Sequence, residues 1–205
     1  MPHPRPALAD GSALADAALM ARVACGDAQA LDPLYRRHKG IVYRFALLWS
    51  GSSAIAADVT QDVFLHLLER AGDYDALRGA VSPWLLGIAR NFVRRRTGLT
   101  RETALDTNDE ALLAGARIQD APPDAALALA QDLERLRRAI AALPPHYRDV
   151  LVLVELAERS YAETAAICGC ELNTVRSRLS RARGLLAQWL TLDDETSAMS
   201  TAASA

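Results

Sequence analysis

The chain has 205 residues, enough for one ordinary domain or two small ones, and half of them are apolar while only 5% are aromatic. No apolar run approaches the roughly 20 residues of a membrane helix, and direct membrane insertion is not expected. The formal net charge of −2 argues at first against a nucleic-acid partner. That charge is unevenly spread: residues 1–97 carry +3, 98–132 carry −5, 133–190 carry +3 and the last fifteen carry −3. Exposed charges are screened beyond roughly 8–10 Å at physiological salt, so a phosphate meets the local balance rather than the sum. Ala and Leu are used heavily, which suits helices because both lose little freedom there. Three cysteines, with Cys168 and Cys170 one residue apart and no second pair, make neither a disulfide framework nor a metal site. No cofactor is indicated. His3, His38, His66 and His146 have no partner at motif spacing, and no phosphate loop or nucleophile elbow is present, so an enzyme is the least supported class. Residues Met1 to Pro6 have no apolar stretch behind Arg5, so no signal peptide is read there and a cytoplasmic location is expected.

In chain order, residues 1–12 are rich in Pro and Ala and are expected to be disordered. Helical pattern runs from Ala13 to Trp49. Asp32-Pro33 interrupts it in a permitted way, as a cap followed by a first helical residue. Gly51-Ser52-Ser53 is a turn, with Ser53 placed to cap a helix whose inner side carries Ile55, Val59, Val63, Phe64, Leu67 and Leu68. Asp58, Gln61 and Asp62 fall on its other side, which periodicity alone reads as a solvated face. A loop spans Ala71 to Ser82. Pro83 then opens a helix with Trp84, Leu85, Ile88, Ala89 and Phe92 inward and Arg90, Asn91, Arg94 and Arg95 outward. Those outward side chains, beside a loop holding Tyr74, suit phosphate contacts and a splayed single strand.

Residues 98–126 lose the periodicity and read as an acidic linker, with a short helix expected at Glu110–Ala116. Leu129, Leu133, Leu136, Ile140 and Leu143 restore helical spacing, Pro144-Pro145 breaks it, and Tyr147, Val150, Leu151, Val154 and Leu156 mark a further short helix. Ser160-Tyr161-Ala162-Glu163 has the form of a capping box, in which the Ser hydroxyl and the Glu carboxylate satisfy each other's backbone N–H groups. Ala165 and Ala166 allow a close helix crossing, and Gly169 suits a left-handed helix end. A second helix starts between Glu171 and Asn173. Helix, Gly turn and helix make a helix-turn-helix. At about 100° per residue, Val175, Leu179, Ala182 and Leu186 form its buried stripe. Asn173, Ser177, Ser180 and Arg181 point away, flanked by Arg176 and Arg178. Small polar groups let a helix enter a major groove, while Arg and Asn read purine edges or hold phosphate.

Taken together, three runs in this C-terminal part resemble the C-terminal domain of extracytoplasmic-function sigma factors. They are Leu143-Pro144-Pro145-His146-Tyr147-Arg148-Asp149-Val150-Leu151, Ser160-Tyr161-Ala162-Glu163-Thr164-Ala165, and Asn173-Thr174-Val175-Arg176-Ser177-Arg178-Leu179-Ser180-Arg181-Ala182-Arg183. Leu34 to His38, Ala57 to Phe64, and Trp84-Leu85 with Ile88 to Asn91 are similar to the family's N-terminal domain. The resemblance implies an all-α chain of two small helical domains, 13–97 and 127–191, joined by a flexible acidic linker; the polar, small residues at 192–205 are expected to form a disordered tail.

It also implies roles. Asp58, Gln61 and Asp62 would bind the clamp helices of the largest subunit of core RNA polymerase, with the flap as a second contact. Arg90, Asn91, Arg94 and Arg95 would serve the −10 element, and Asn173, Thr174, Arg176, Ser177, Arg178, Ser180 and Arg181 would read the −35 element. Asp106, Asp109 and Glu110 would pass near the RNA exit path. An anti-sigma factor, often membrane-anchored, would hold the protein inactive. Three positions depart from the family pattern: Arg95 replaces a common acid, Glu171 and Asn173 replace Pro and Gly, and Glu158-Arg159 replaces Gly-Leu. A stand-alone regulator of LuxR type shares the Thr-Val-basic signature but lacks the Leu143-Pro144 entry and the N-terminal match. A helical adaptor that binds only protein predicts no salt-dependent affinity for DNA.

Overall fold

The computed structural model describes residues 10–98 and 125–203, with side chains over 15–98 and 132–191. Among the described residues the regular elements are helical. The first half comprises α1 (Asp10–Ala24), α2 (Leu31–Ser50), α3 (Ser53–Arg70) and α4 (Val81–Arg96). The expected cap at Asp32 is displaced. Asp27 accepts from the Gln29 N–H at 3.0 Å and caps a 3-10 turn, Ala28–Ala30, that runs straight into α2. Asp32 pairs instead with Arg36 one turn later, and Pro33 still lies in the first turn, where a missing N–H leaves no orphan donor. Gly51 ends α2 at φ 70°, its N–H donating to Leu47 O at 2.8 Å. Ser52 rather than Ser53 caps α3, accepting from the Ile55 N–H. Asp16 fastens α1 to α2, lying 2.5 Å from Arg37 and 2.8 Å from His38 Nε2.

The second half comprises α5 (Ala125–Ala142), α6 (Pro145–Leu151), α7 (Tyr161–Cys168) and α8 (Leu172–Ala203). Helix α8 continues through the residues expected to form a tail from 192, since neither Gly nor Pro follows Gly184 in it to break the backbone pattern. The linker 99–124 lies outside the described residues, including the helix expected at Glu110–Ala116 and the acids Asp106, Asp109 and Glu110, as do residues 1–9.

The two halves share one continuous core, from Phe45 and Trp49 through Val150 and Val152 to Val175 and Leu179. Helix α5 lies against α2, and α7 against α4. This sandwiching of α4 changes its buried arc. Leu85 and Ala89 are buried as expected, joined by Val81, Leu86 and Val93, while Trp84, Ile88 and Phe92 are only half-buried. A helix packed on two sides needs more apolar surface than a one-sided stripe supplies.

Helix α6 does not end cleanly. Its last turn widens into a π-turn over Val152–Leu156, closed by the Ala157 N–H donating to Val152 O at 2.8 Å. The extra residue shifts the phase, so Val152 and Leu153 are buried and Leu156 is exposed, the reverse of the expected placement of Leu156. The chain then needs a left-handed step, and Glu158 takes it at φ 53°. That is where the resembled family customarily has Gly. A non-glycine side chain there crowds its own carbonyl, so Glu158→Gly is expected to raise stability by about 0.5–1 kcal/mol. A denaturant titration checks this: the midpoint should rise at unchanged slope. An unchanged midpoint would contradict a strained backbone at this position.

Candidate nucleic-acid interface

The capping box at the start of α7 is formed as expected. The Glu163 N–H donates to the Ser160 hydroxyl at 3.2 Å and the Ser160 N–H to the Glu163 carboxylate at 2.8 Å. Gly169 ends α7 in the left-handed region at φ 65°, donating its N–H to Ala165 O. Helix α8 then presents the predicted two faces. Val175, Leu179 and Ala182 are buried; Asn173, Arg176, Ser177, Ser180 and Arg181 are exposed, and Thr174 and Arg178 are half-buried at the edges. Arg176 lies 3.4 Å from the Asn173 side-chain oxygen, and Arg181 reaches the Tyr147 hydroxyl at 3.3 Å. The Arg176 contact is long and exposed, and a stronger acceptor such as phosphate replaces it at little cost.

The predicted face on α4 is divided. Asn91 and Arg95 are exposed, but Arg90 and Arg94 are enclosed, with side chains 14% and 11% exposed. Both turn to one carboxylate, Asp149 of α6, which is 1% exposed. Asp149 Oδ2 accepts from Arg90 Nε at 2.6 Å and from Arg94 at 3.4 Å, while Oδ1 accepts from the Trp49 indole N–H at 2.7 Å. Burial by itself lowers the Arg90 guanidinium, but the Asp149 carboxylate outweighs it and holds the group above its ordinary value. The neighbouring Arg148 ties the same turn in the opposite sense. Its guanidinium stacks over the Trp49 ring at 4.5 Å and donates to the carbonyls of Trp49, Leu143 and Ala141. Burial pushes this group down to about 10, so it keeps its charge at neutral pH.

Sequence reasoning missed Trp49, Arg148 and Asp149 as a unit. The available signal was two opposite charges inside the apolar run Tyr147 to Val154, too short a helix to turn both toward water.

On α3, Asp58 and Gln61 are exposed and Asp62 is half-buried. Arg96, at the end of α4, bridges both acids, at 2.8 Å to Asp58 and 2.6 Å to Asp62. Its hydrogen bond to Asp62 holds the guanidinium above its ordinary value. Beside these acids, Tyr35, Leu65 and Leu68 stay exposed and line an apolar groove with Gln61 and Phe64. The aromatic loop is ordered by Tyr74, whose hydroxyl donates to Gly79 O and whose ring meets Trp84 edge-on. Ala166 and Ile167 of α7 close the cleft between this loop and Asn91.

An open helix-turn-helix face and a second arginine-bearing helix thus lie on separate halves of a chain whose described regular elements are helical. Residues 34–98 match the family model for sigma-70 region 2, and residues 133–186 match that for sigma-70 region 4. The sigma factor SigM of Mycobacterium tuberculosis is 37% identical over 178 residues, covering 85% of this chain and 84% of that one. SigE of Mycolicibacterium smegmatis is 32% identical over 183 residues, covering 86% and 69%. Among solved structures, CnrH in complex with the cytosolic domain of CnrY superposes with a TM-score of 0.66 at 25% identity, covering 87% of this chain and 99% of that one. The sigma factor RpoE of Bartonella quintana, in complex with the anti-sigma factor NepR, gives 0.58 at 26%, covering 79% and 97%. The chain belongs to the extracytoplasmic-function RNA polymerase sigma factors. Such proteins bind core RNA polymerase and promoter DNA to begin transcription.

The cysteines report on the same seam. Burial pushes the Cys168 thiol up to about 12, and the Asp149 carboxylate adds to the rise, whereas Cys25 is exposed. Reactivity follows the thiolate. A disulfide reagent at mildly alkaline pH is expected to modify Cys25 first and the half-buried Cys168 far more slowly in the folded protein. Mass spectrometry of the products checks it, and equal rates would contradict the raised Cys168 thiol.

Proposed function

We propose that α8 reads the −35 element through Asn173, Thr174, Arg176, Ser177, Arg178, Ser180 and Arg181, and that α4 serves the −10 element through Arg90, Asn91, Arg94 and Arg95. The observation that carries the reading is the exposed polar face of α8 directly opposite its buried Val175–Leu179–Ala182 stripe. Small side chains at Ser177 and Ser180 leave room for the groove wall, and the arginines around them supply forks for guanine or phosphate. Glu171 and Asn173, which replace the family's Pro and Gly, stand at the helix entrance and would set this factor's own promoter preference.

The polymerase-binding reading of Asp58, Gln61 and Asp62 gains support from the apolar groove beside them. A charged edge next to exposed Tyr35, Leu65 and Leu68 suits a protein partner better than water. The basic face of the clamp helices would take both acids from Arg96. The solved structures of CnrH with CnrY and of RpoE with NepR support an inhibitory partner, an anti-sigma factor, for this chain as well. The protein would act in the cytoplasm beside the polymerase, and a membrane-anchored inhibitor would hold it at the membrane. Bond formation belongs to the polymerase; this chain supplies promoter choice.

Run-off transcription with purified protein, core polymerase and fragments of its own genome tests the reading. Specific transcripts that need both components are expected. Sequence-specific binding of duplex DNA by the protein alone, without any transcript, would favour a stand-alone regulator. On the promoter so found, Arg176→Ala is expected to weaken binding by about 1–3 kcal/mol if it reads a base. An equal small loss on every sequence would make it a phosphate contact. Asp58→Ala with Asp62→Ala is expected to abolish co-elution with core polymerase while leaving the helical circular dichroism unchanged; retained co-elution would overturn that assignment.

A further inference from the structure

We propose that Glu171, at the entrance of α8, reads a cytosine of the −35 element by accepting from its N4 amino group, and that the same carboxylate disfavours every other base at that position. The inference rests on assigning α8 to −35 DNA, and adds to that reading one residue and the base it selects.

The entrance of α8 is open. Glu171, Leu172 and Asn173 are exposed in succession, ahead of the buried Val175. Glu171 stands just before the first residue of the helix, and its carbonyl accepts from the Val175 N–H at 3.1 Å. Its carboxylate has no donor among the described residues. The first residues of a recognition helix are the ones that meet base edges in the major groove. Glu171 shares that end of α8 with Asn173 and Arg176.

Neighbouring acids are treated differently. Glu155 accepts from Arg183, while Glu163 closes the capping box with Ser160 and lies 3.7 Å from Arg159. Both are neutralised within the chain. Arg176, the arginine nearest in sequence to Glu171 along α8, reaches the neutral amide of Asn173 instead. A carboxylate left uncompensated on a face that meets phosphate weakens binding to any duplex, because the backbone is densely negative. The arrangement loses affinity unless the carboxylate finds a donor on the DNA.

The major groove holds few such donors. Guanine presents O6 and N7 and thymine presents O4, all acceptors that repel a carboxylate. Adenine sets its N7 acceptor beside the N6 amino group, whereas cytosine presents the N4 amino group alone. Cytosine is therefore the base that Glu171 meets with a hydrogen bond and no opposing lone pair. Discrimination comes as much from repelling the wrong base as from binding the right one.

The test uses the full chain assembled with core polymerase. Its duplexes carry the promoter identified by run-off transcription, with every single base-pair change across the −35 element. Binding in competition with the unchanged promoter is measured at two salt concentrations. One cytosine is expected to be preferred about tenfold or more over the other bases at its position. Glu171→Ala is expected to erase that preference alone, and to tighten binding of promoters that carry another base there. Glu171→Gln keeps the length but makes the group both donor and acceptor, which suits adenine N6 and N7. It is expected to move the preference at that one position from cytosine to adenine. A merely structural role predicts no such shift, because the exposed side chain has no partner in the fold to lose. If Glu171→Ala strengthens every promoter equally, by a gain that shrinks as salt rises, the carboxylate only repels phosphate and the proposal is overturned. If no base of the −35 element matters and Arg176→Ala changes nothing either, the α8 assignment itself fails and takes the proposal with it.

Discussion

Taking a carboxylate out of water costs several kcal/mol unless its oxygens are met by charged or hydrogen-bonding groups. Asp149 is out of water, and all three of its side-chain partners come from the opposite half of the molecule. Helix α6 meets α4 where Asp149 faces Arg90 and Arg94. Trp49 is fixed from two directions at once, its indole N–H by Asp149 and its ring face by the Arg148 guanidinium. The apolar residues around this cluster supply most of the burial energy. The charges decide the register in which the two halves meet.

That register sets what each half can do. Helix α8 keeps its polar face in solvent, opposite the stripe it buries. Helix α4 is enclosed because the second half uses its arginines for its own neutralisation. The acidic pair on α3 is likewise occupied by an arginine of the same chain, Arg96, though on the surface, where such pairs contribute little and exchange readily. Arg90, Arg94 and the acidic pair are thus paired within the chain, the two arginines in the interior and the acids at the surface.

Much of this was legible in the sequence where a local rule governs. The capping box at Ser160, the left-handed end at Gly169 and the two faces of α8 follow from residues within one or two turns of each other. Family resemblance added roles that periodicity could not, above all for Asp58, Gln61 and Asp62, which on pattern alone read as a solvated face. What escaped depends on distant partners. Arg90 and Arg94 fall on the polar side of α4 by any helical wheel, and only the approach of α6 and α7 turns that side into an interior. The phase shift after Leu151 comes from a π-turn, which leaves no mark in composition, so Leu156 was placed inside and lies outside. The caps at Asp27 and Ser52 were each missed in favour of another residue that could cap, Asp32 and Ser53.

The Trp49 indole N–H gives the most direct access to the seam, because it is buried and donates to Asp149 across the two halves. Its hydrogen-exchange rate in the free protein, read by NMR against those of Trp84 and Trp189, measures whether the halves are closed in solution. The account predicts a Trp49 signal that exchanges far more slowly than the two half-buried tryptophans. Exchange of Trp49 as fast as Trp84 in the free protein would contradict a closed resting state.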